Sequence, residues 1–248
     1  LITAAVGMFF GIPSLRIKGF YLAVATLAAQ FFLLWLFNRV PWFTNYSSSG
    51  VISPPPIKLF GDYYITGTEA TNLTQYFFTL TFVIVLSLAA RNIIRGHIGR
   101  SWMAMRDMDI AAEIIGISPL KAKLSAFAVS SFYCGIAGAL WAFLYTGTVE
   151  PLAFEINQSF KILFMIIIGG LGSILGSFFG AAFIVVLPIF LNSAPALLGL
   201  ELSGSLVTHI EFMVFGALIV FFLIVEPHGL ARLWGIAKEK LRLWPFPY

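Results

Sequence analysis

Six long apolar runs occupy most of this chain and constrain its fold more than any other feature. They cover 1–12, 19–37, 76–90, 124–145, 160–191 and 206–225. A hydrocarbon core about 30 Å thick is crossed by roughly 20 apolar residues in a helix, and several runs approach or exceed that length. A backbone in lipid must satisfy its own hydrogen bonds, so such segments are helices or strands of a closed barrel. Barrel strands alternate apolar and polar residues, and stretches such as 82–88 and 162–168 show no such alternation. The pattern predicts an all-α, polytopic transmembrane helix bundle.

Charge supports the same solvent. Charged residues make up 10% of the chain, against about 25% in soluble domains. The net charge of +4 raises the question of nucleic acid, but the basic residues lie between the apolar runs, where they mark membrane orientation. Nucleic acid is therefore not an expected partner. Arg16, Lys18, the six basic residues of 91–123 and the four after Glu226 place twelve of the fifteen on one face if these regions are cytoplasmic. Parity then requires 160–191 to enter and leave on the same side, as a broken or re-entrant hairpin. Gly169, Gly170, Gly172 and Ser173 supply the break, because a glycine costs about 1 kcal/mol within a helix and three fall in four positions. They line a transport pathway or let two helices pack closely. The first arm is too short to span alone unless its helix begins near Glu155. Residue 1 is Leu, inside an apolar stretch, and the sequence reads as a fragment with earlier spans upstream.

Three other regions complete the organisation. The segment 38–75 is a long extracytoplasmic loop, opening on Pro41, Trp42 and Phe43 as an interfacial aromatic anchor. Pro54, Pro55 and Pro56 within it favour polyproline geometry. After Glu226 and Pro227, Leu230, Leu233, Trp234, Ala237 and Leu241 recur at helical spacing among basic residues. The tail 226–248 thus reads as an amphipathic helix on the cytoplasmic surface. In 91–123, Asp107 and Asp109 suit a first helical turn, while Gly116 and then Pro119 end it. A helix of two turns is marginal alone in water and is expected to rest on a partner protein.

Ala111, Ala112 and Glu113 followed by Gly116 resemble the coupling-loop motif of importer permeases. The wider pattern of Arg106, Asp109, Ala111, Ala112, Glu113, Gly116, Ile117, Lys123, Leu124, Ala126 and Phe127 resembles the permeases of branched-chain amino-acid ABC importers. Further blocks lie at 19–28, 135–140, 169–176, 226–230 and 243–248, the ending being similar to the second permease subunit of that system. The resemblance implies a single permease domain over 1–248 in a bacterial cytoplasmic membrane. It implies alternating access driven by partners: a second homologous permease, two cytoplasmic ATPases that hold ATP and Mg, and an external substrate-binding protein. Asp109, Ala112, Glu113 and Gly116 are the implied contact with the ATPase. The family often shows Thr-Gly-Gly where this chain has Thr44, Asn45 and Tyr46, and an acid where Gln30 stands. The implied cargo is a branched-chain or related amino acid, with urea, short amides or aromatic acids as alternatives.

Other chemistry is sparse. Cys134 is the single cysteine and reads as a small packing residue. His97, His209 and His228 lie on different segments, no phosphate-binding loop occurs, and no nucleophile–base set is visible. The chain therefore reads as a transport subunit, not an enzyme, with no metal or cofactor of its own. His209 and Glu211, near the end of the last run, read as interfacial polar contacts. A secondary transporter would favour more intramembrane charge.

Overall fold

The structure, a computed structural model, describes residues 1–15, 20–47, 50–59, 63–67, 70–197, 204–225 and 229–243. Arg16, Lys18, Glu226, Pro227, His228 and the ending 244–248 lie outside the described residues, as does the side chain of Glu211. Four described helices are long and apolar enough to cross a membrane, at Asn72–Arg95, Pro119–Thr146, Pro151–Gly169 and Ile174–Leu191. Among the described residues the chain is an all-α polytopic bundle apart from one pair of two-residue strands, β1 (Lys58–Leu59) and β2 (Tyr63–Tyr64). Contacts divide it into two compact units, 1–155 and 156–248.

The first unit contains α1 (Ile2–Leu15), α2 (Phe20–Arg39), α3 (Asn72–Arg95), α4 (His97–Asp107), α5 (Asp109–Ile114) and α6 (Pro119–Leu140). Helix α6 continues into a π-helical segment, Trp141–Thr146, where the Thr146 hydroxyl donates within reach of the Ala142 carbonyl at 2.9 Å. Helix α1 lies along α6 with Gly7 against Ser131 and Thr3 against Gly135, the small-residue contact that membrane helices favour. The Tyr133 hydroxyl ties α6 to α3 by donating to the Leu86 carbonyl at 2.9 Å. No described residue of α3 is buried, so its apolar surface is left for lipid or neighbours.

The loop between α2 and α3 is held by its own bonds. Thr66 is buried, accepts from the Ile57 amide and donates to the Pro55 carbonyl, both at 2.8 Å. Ile52 and Val149 exchange two backbone bonds, at 3.0 and 2.8 Å, and pin the loop to the segment after α6.

The second unit is built on α7 (Ile156–Gly169) and α8 (Ile174–Leu197), an antiparallel pair joined by a four-residue elbow, with α9 (Gly204–Val225) and α10 (Gly229–Leu243) packed on it. Helix α7 begins at Ile156, and the apolar helix around it runs over nineteen residues from Pro151. That length spans about 28 Å at 1.5 Å per residue, so the first arm is long enough to cross. Ile168, Ile184 and Phe222 form the core of this unit, covered by Phe164, Phe215 and Leu230.

Candidate functional site

The segment 91–123 folds into two helices where one was expected. Trp102 and Met105 on α4 turn onto the base of α6. The Trp102 indole donates to the Ser125 hydroxyl at 2.9 Å, and that hydroxyl donates to the Ala122 carbonyl at 2.8 Å. Helix α5 sits on this platform. Ala112 is 2% exposed and packs with Met105 and Ala122. Expected at a partner surface, Ala112 instead faces its own chain, and its methyl group anchors the helix.

The end of α5 is a Schellman turn. The Gly116 amide donates to the Glu113 carbonyl at 3.0 Å, and the Ile117 amide to the Ala112 carbonyl at 3.0 Å. Gly116 takes φ +90°, a region that costs an L-residue roughly 1–2 kcal/mol. Ile117 then folds back onto the cluster around Ala112. Asp109 accepts from the Ile110 amide at 2.9 Å, and Asp109 and Glu113 remain exposed. Arg106 donates to Asp107 at 2.8 Å in an exposed pair. That hydrogen bond, and then the carboxylate charge, pushes the Arg106 guanidinium further above its ordinary pKa.

The outward face carries what residue-type reasoning missed. Ile110 is 73% exposed and Ile114 81%, with Met108 and Ile115 comparably bare. Four large apolar residues thus crown a six-residue helix whose inner side is fixed. Their spacing around Ala112 is the signal that could have revealed them, because α5 is too short for a periodic stripe to stand out.

The glycine break forms the elbow between α7 and α8. A Cβ at Gly176 would lie 2.6 Å from the Gly169 carbonyl oxygen, and one at Gly180 would overlap the Met165 carbonyl. Ser173 caps α8 by accepting from the Gly176 amide at 3.1 Å. Gly170 and Gly172 take φ +113° and +83°. Gly229, the first residue of α10, rests on the elbow so closely that a Cβ would be 2.5 Å from the Gly170 amide nitrogen. Gly169 and Gly170 are thus buried in a close-packed joint, while Gly172 is exposed at the turn and Ser173 caps the second arm.

A cavity of about 930 Å³ lies in the first unit between α1, α2 and α6, and none of the elbow residues lines it. Its walls are mostly apolar, with Thr3, Thr26, Gln30, Thr44 and Ser131 as polar points and no charged residue among the described lining residues. Cys134 is exposed and lines this space, where a packing role was expected. Asn45 and Tyr46, beside Thr44, take φ +50° and +57°. These are left-handed values that glycine adopts without strain and a tyrosine rarely does. Among the described residues, no three His, Cys, Asp or Glu side chains gather as a metal site.

A family profile described as "Branched-chain amino acid transport system / permease component" matches residues 1–223. The chain belongs to this family of branched-chain amino-acid transport permeases. It is 30% identical to the high-affinity branched-chain amino acid transport system permease protein LivM of Escherichia coli and 29% identical to that of Salmonella typhimurium, over 93% of this chain. A probable branched-chain amino acid transport permease protein LivM of Methanocaldococcus jannaschii is 26% identical over 91% of the chain. The chain spans 55% of the length of the first two relatives and 64% of the third. No solved structure matches it. Family membership and the apolar helices together make this permease chain a membrane protein.

Proposed function

We propose that this permease chain belongs to an ATP-driven importer in the cytoplasmic membrane, where it moves branched-chain or related amino acids by alternating access. Its partners in this reading are a second homologous permease, two cytoplasmic ATPases that carry ATP and Mg, and an external binding protein. The observation that carries the reading is the crown of Met108, Ile110, Ile114 and Ile115 on a helix braced from behind. An uncovered apolar surface rimmed by Asp109 and Glu113 suits a groove on another protein. Bracing through Ala112 and Trp102 would let movement of that protein reach α6 as rigid-body motion.

In this arrangement 91–123 and α10 are cytoplasmic, the loop before α3 is external, and the α7–α8 elbow lies towards the cytoplasm. Gly116 shapes the end of the peg, and Asp109 and Glu113 supply polar contacts at its rim. The cavity in the first unit supports a second cargo reading. With Gln30 and Thr44 as polar points and no ion to pair a charged group, it suits urea or a short amide as well as an apolar side chain.

The test is the double variant Ile110→Asp, Ile114→Asp in the intact importer. Co-purification of the ATPases and uptake of a labelled amino-acid panel should both fall by at least a hundredfold, while membrane insertion stays normal. Unchanged uptake in that variant would end the coupling proposal.

A further inference from the structure

In the second unit, a groove of about 680 Å³ runs between α8 and α10. Every lining residue is apolar, from Phe179 to Phe190 on α8 and Leu230, Leu233, Trp234 and Ala237 on α10. Along α8 the lining extends about 16 Å at 1.5 Å per residue, close to half of the roughly 30 Å hydrocarbon core. Beyond Ala237 the stripe on α10 is flanked by basic residues. Leu241 continues the stripe four residues after Ala237, and Lys238 and Lys240, two residues apart, lie on its opposite flanks. Both lysines are exposed, and the one acid of the helix, Glu239, falls off this stripe.

The geometry points to a site for an anionic membrane phospholipid, with an acyl chain along the groove and its headgroup at the lysine-flanked end of α10. The apolar length fits a chain in one leaflet, and the exposed lysines that flank it carry the charge opposite to an anionic headgroup. Basic residues near a membrane surface favour anionic lipid, and lysine stems can lie on apolar surface while their ammonium groups reach the headgroup. Gly229, at the start of the same helix, is seated on the α7–α8 elbow. Lipid in the groove would therefore hold α10 against the joint of this unit.

Trp234 lines the groove and reports on it. Full-length protein in nanodiscs is titrated with phosphatidylglycerol or phosphatidylcholine brominated on the acyl chain. The Trp234 signal is taken as the difference from Trp234→Phe. Brominated phosphatidylglycerol should quench that signal at a mole fraction on the order of tenfold lower than brominated phosphatidylcholine. The double variant Lys238→Gln, Lys240→Gln should erase the difference, and Glu239→Gln should leave it unchanged. Equal quenching by both lipids, or a preference that survives loss of the two lysines, would overturn the headgroup assignment. A Trp234 signal that neither lipid quenches would mean that protein, not lipid, fills the groove.

Discussion

The peg at α5 and the elbow between α7 and α8 both turn on glycine, yet glycine does different work in each. At Gly116 a side chain would meet nothing within 4 Å of its Cβ, so only the φ of +90° demands the residue. At Gly169, Gly176 and Gly180 the demand is space, because backbone atoms of the facing helix occupy the position of a side chain. The peg is consequently a surface feature with apolar residues turned outward. The elbow is a joint on which three helices converge, tightly packed at Gly169, Gly176 and Gly180 although Leu171 at its tip is exposed. A conformational requirement can be met by another residue that tolerates the same φ, whereas missing space cannot.

The largest effect separating the two should come from Gly180→Val. Its Cβ would overlap the Met165 carbonyl, and a backbone atom cannot rotate aside as a side chain does. Overpacking costs typically 1–3 kcal/mol and occasionally more, and backbone contact places this site at the upper end. Thermal unfolding of the purified protein should show a clear loss of stability. The matched control is Gly216→Ala on α9, where nothing lies within 4 Å and helix propensity favours alanine by about 1 kcal/mol. Similar melting of the two variants would remove the distinction between space and conformation.

Gly116 comes next. Gly116→Ala should weaken ATPase association about five- to thirtyfold, the equivalent of the roughly 1–2 kcal/mol cost of left-handed backbone. Gly116→Asn should recover most of that loss, because asparagine visits this region readily. Neither variant should change thermal unfolding as Gly180→Val does. Binding assays on the importer with each variant measure the order Gly, Asn, Ala. Equal weakening by Asn and Ala would mean that space, not φ, governs the peg as well.

The elbow is legible in sequence because three glycines in four residues are hard to place inside a helix, and the charge parity independently asks for a reversal there. The end of α5 is legible for a similar reason, since Gly116 and Pro119 are local signals. Helix α4 is not, because Arg100 and Arg106 disguise a stretch whose Trp102 and Met105 find their partners on α5 and α6, about seven to twenty residues on. Nor can composition tell Ala111 from Ala112, although one is exposed and the other buried. The cavity is still further from view. Gln30, Thr44 and Cys134 come together through packing of separate helices and a pinned loop, and no local periodicity records that meeting.

The smallest effect tests whether space alone holds the elbow. Ser173 accepts from the Gly176 amide at 3.1 Å, and Ser173→Ala removes this cap at a cost of about 1 kcal/mol. The Ser177 amide still donates to the Ser173 carbonyl at 3.1 Å, so the first turn of α8 keeps a backbone bond. Hydrogen exchange at the Gly176 amide should quicken about fivefold, with thermal unfolding shifted far less than by Gly180→Val. Ser173→Asp should restore the slow exchange, since a carboxylate also accepts at a helix N-terminus. If Ser173→Ala instead destabilised the protein as much as Gly180→Val, the cap would be holding the two arms together. The close glycine contacts would then follow from the turn and would not be its cause.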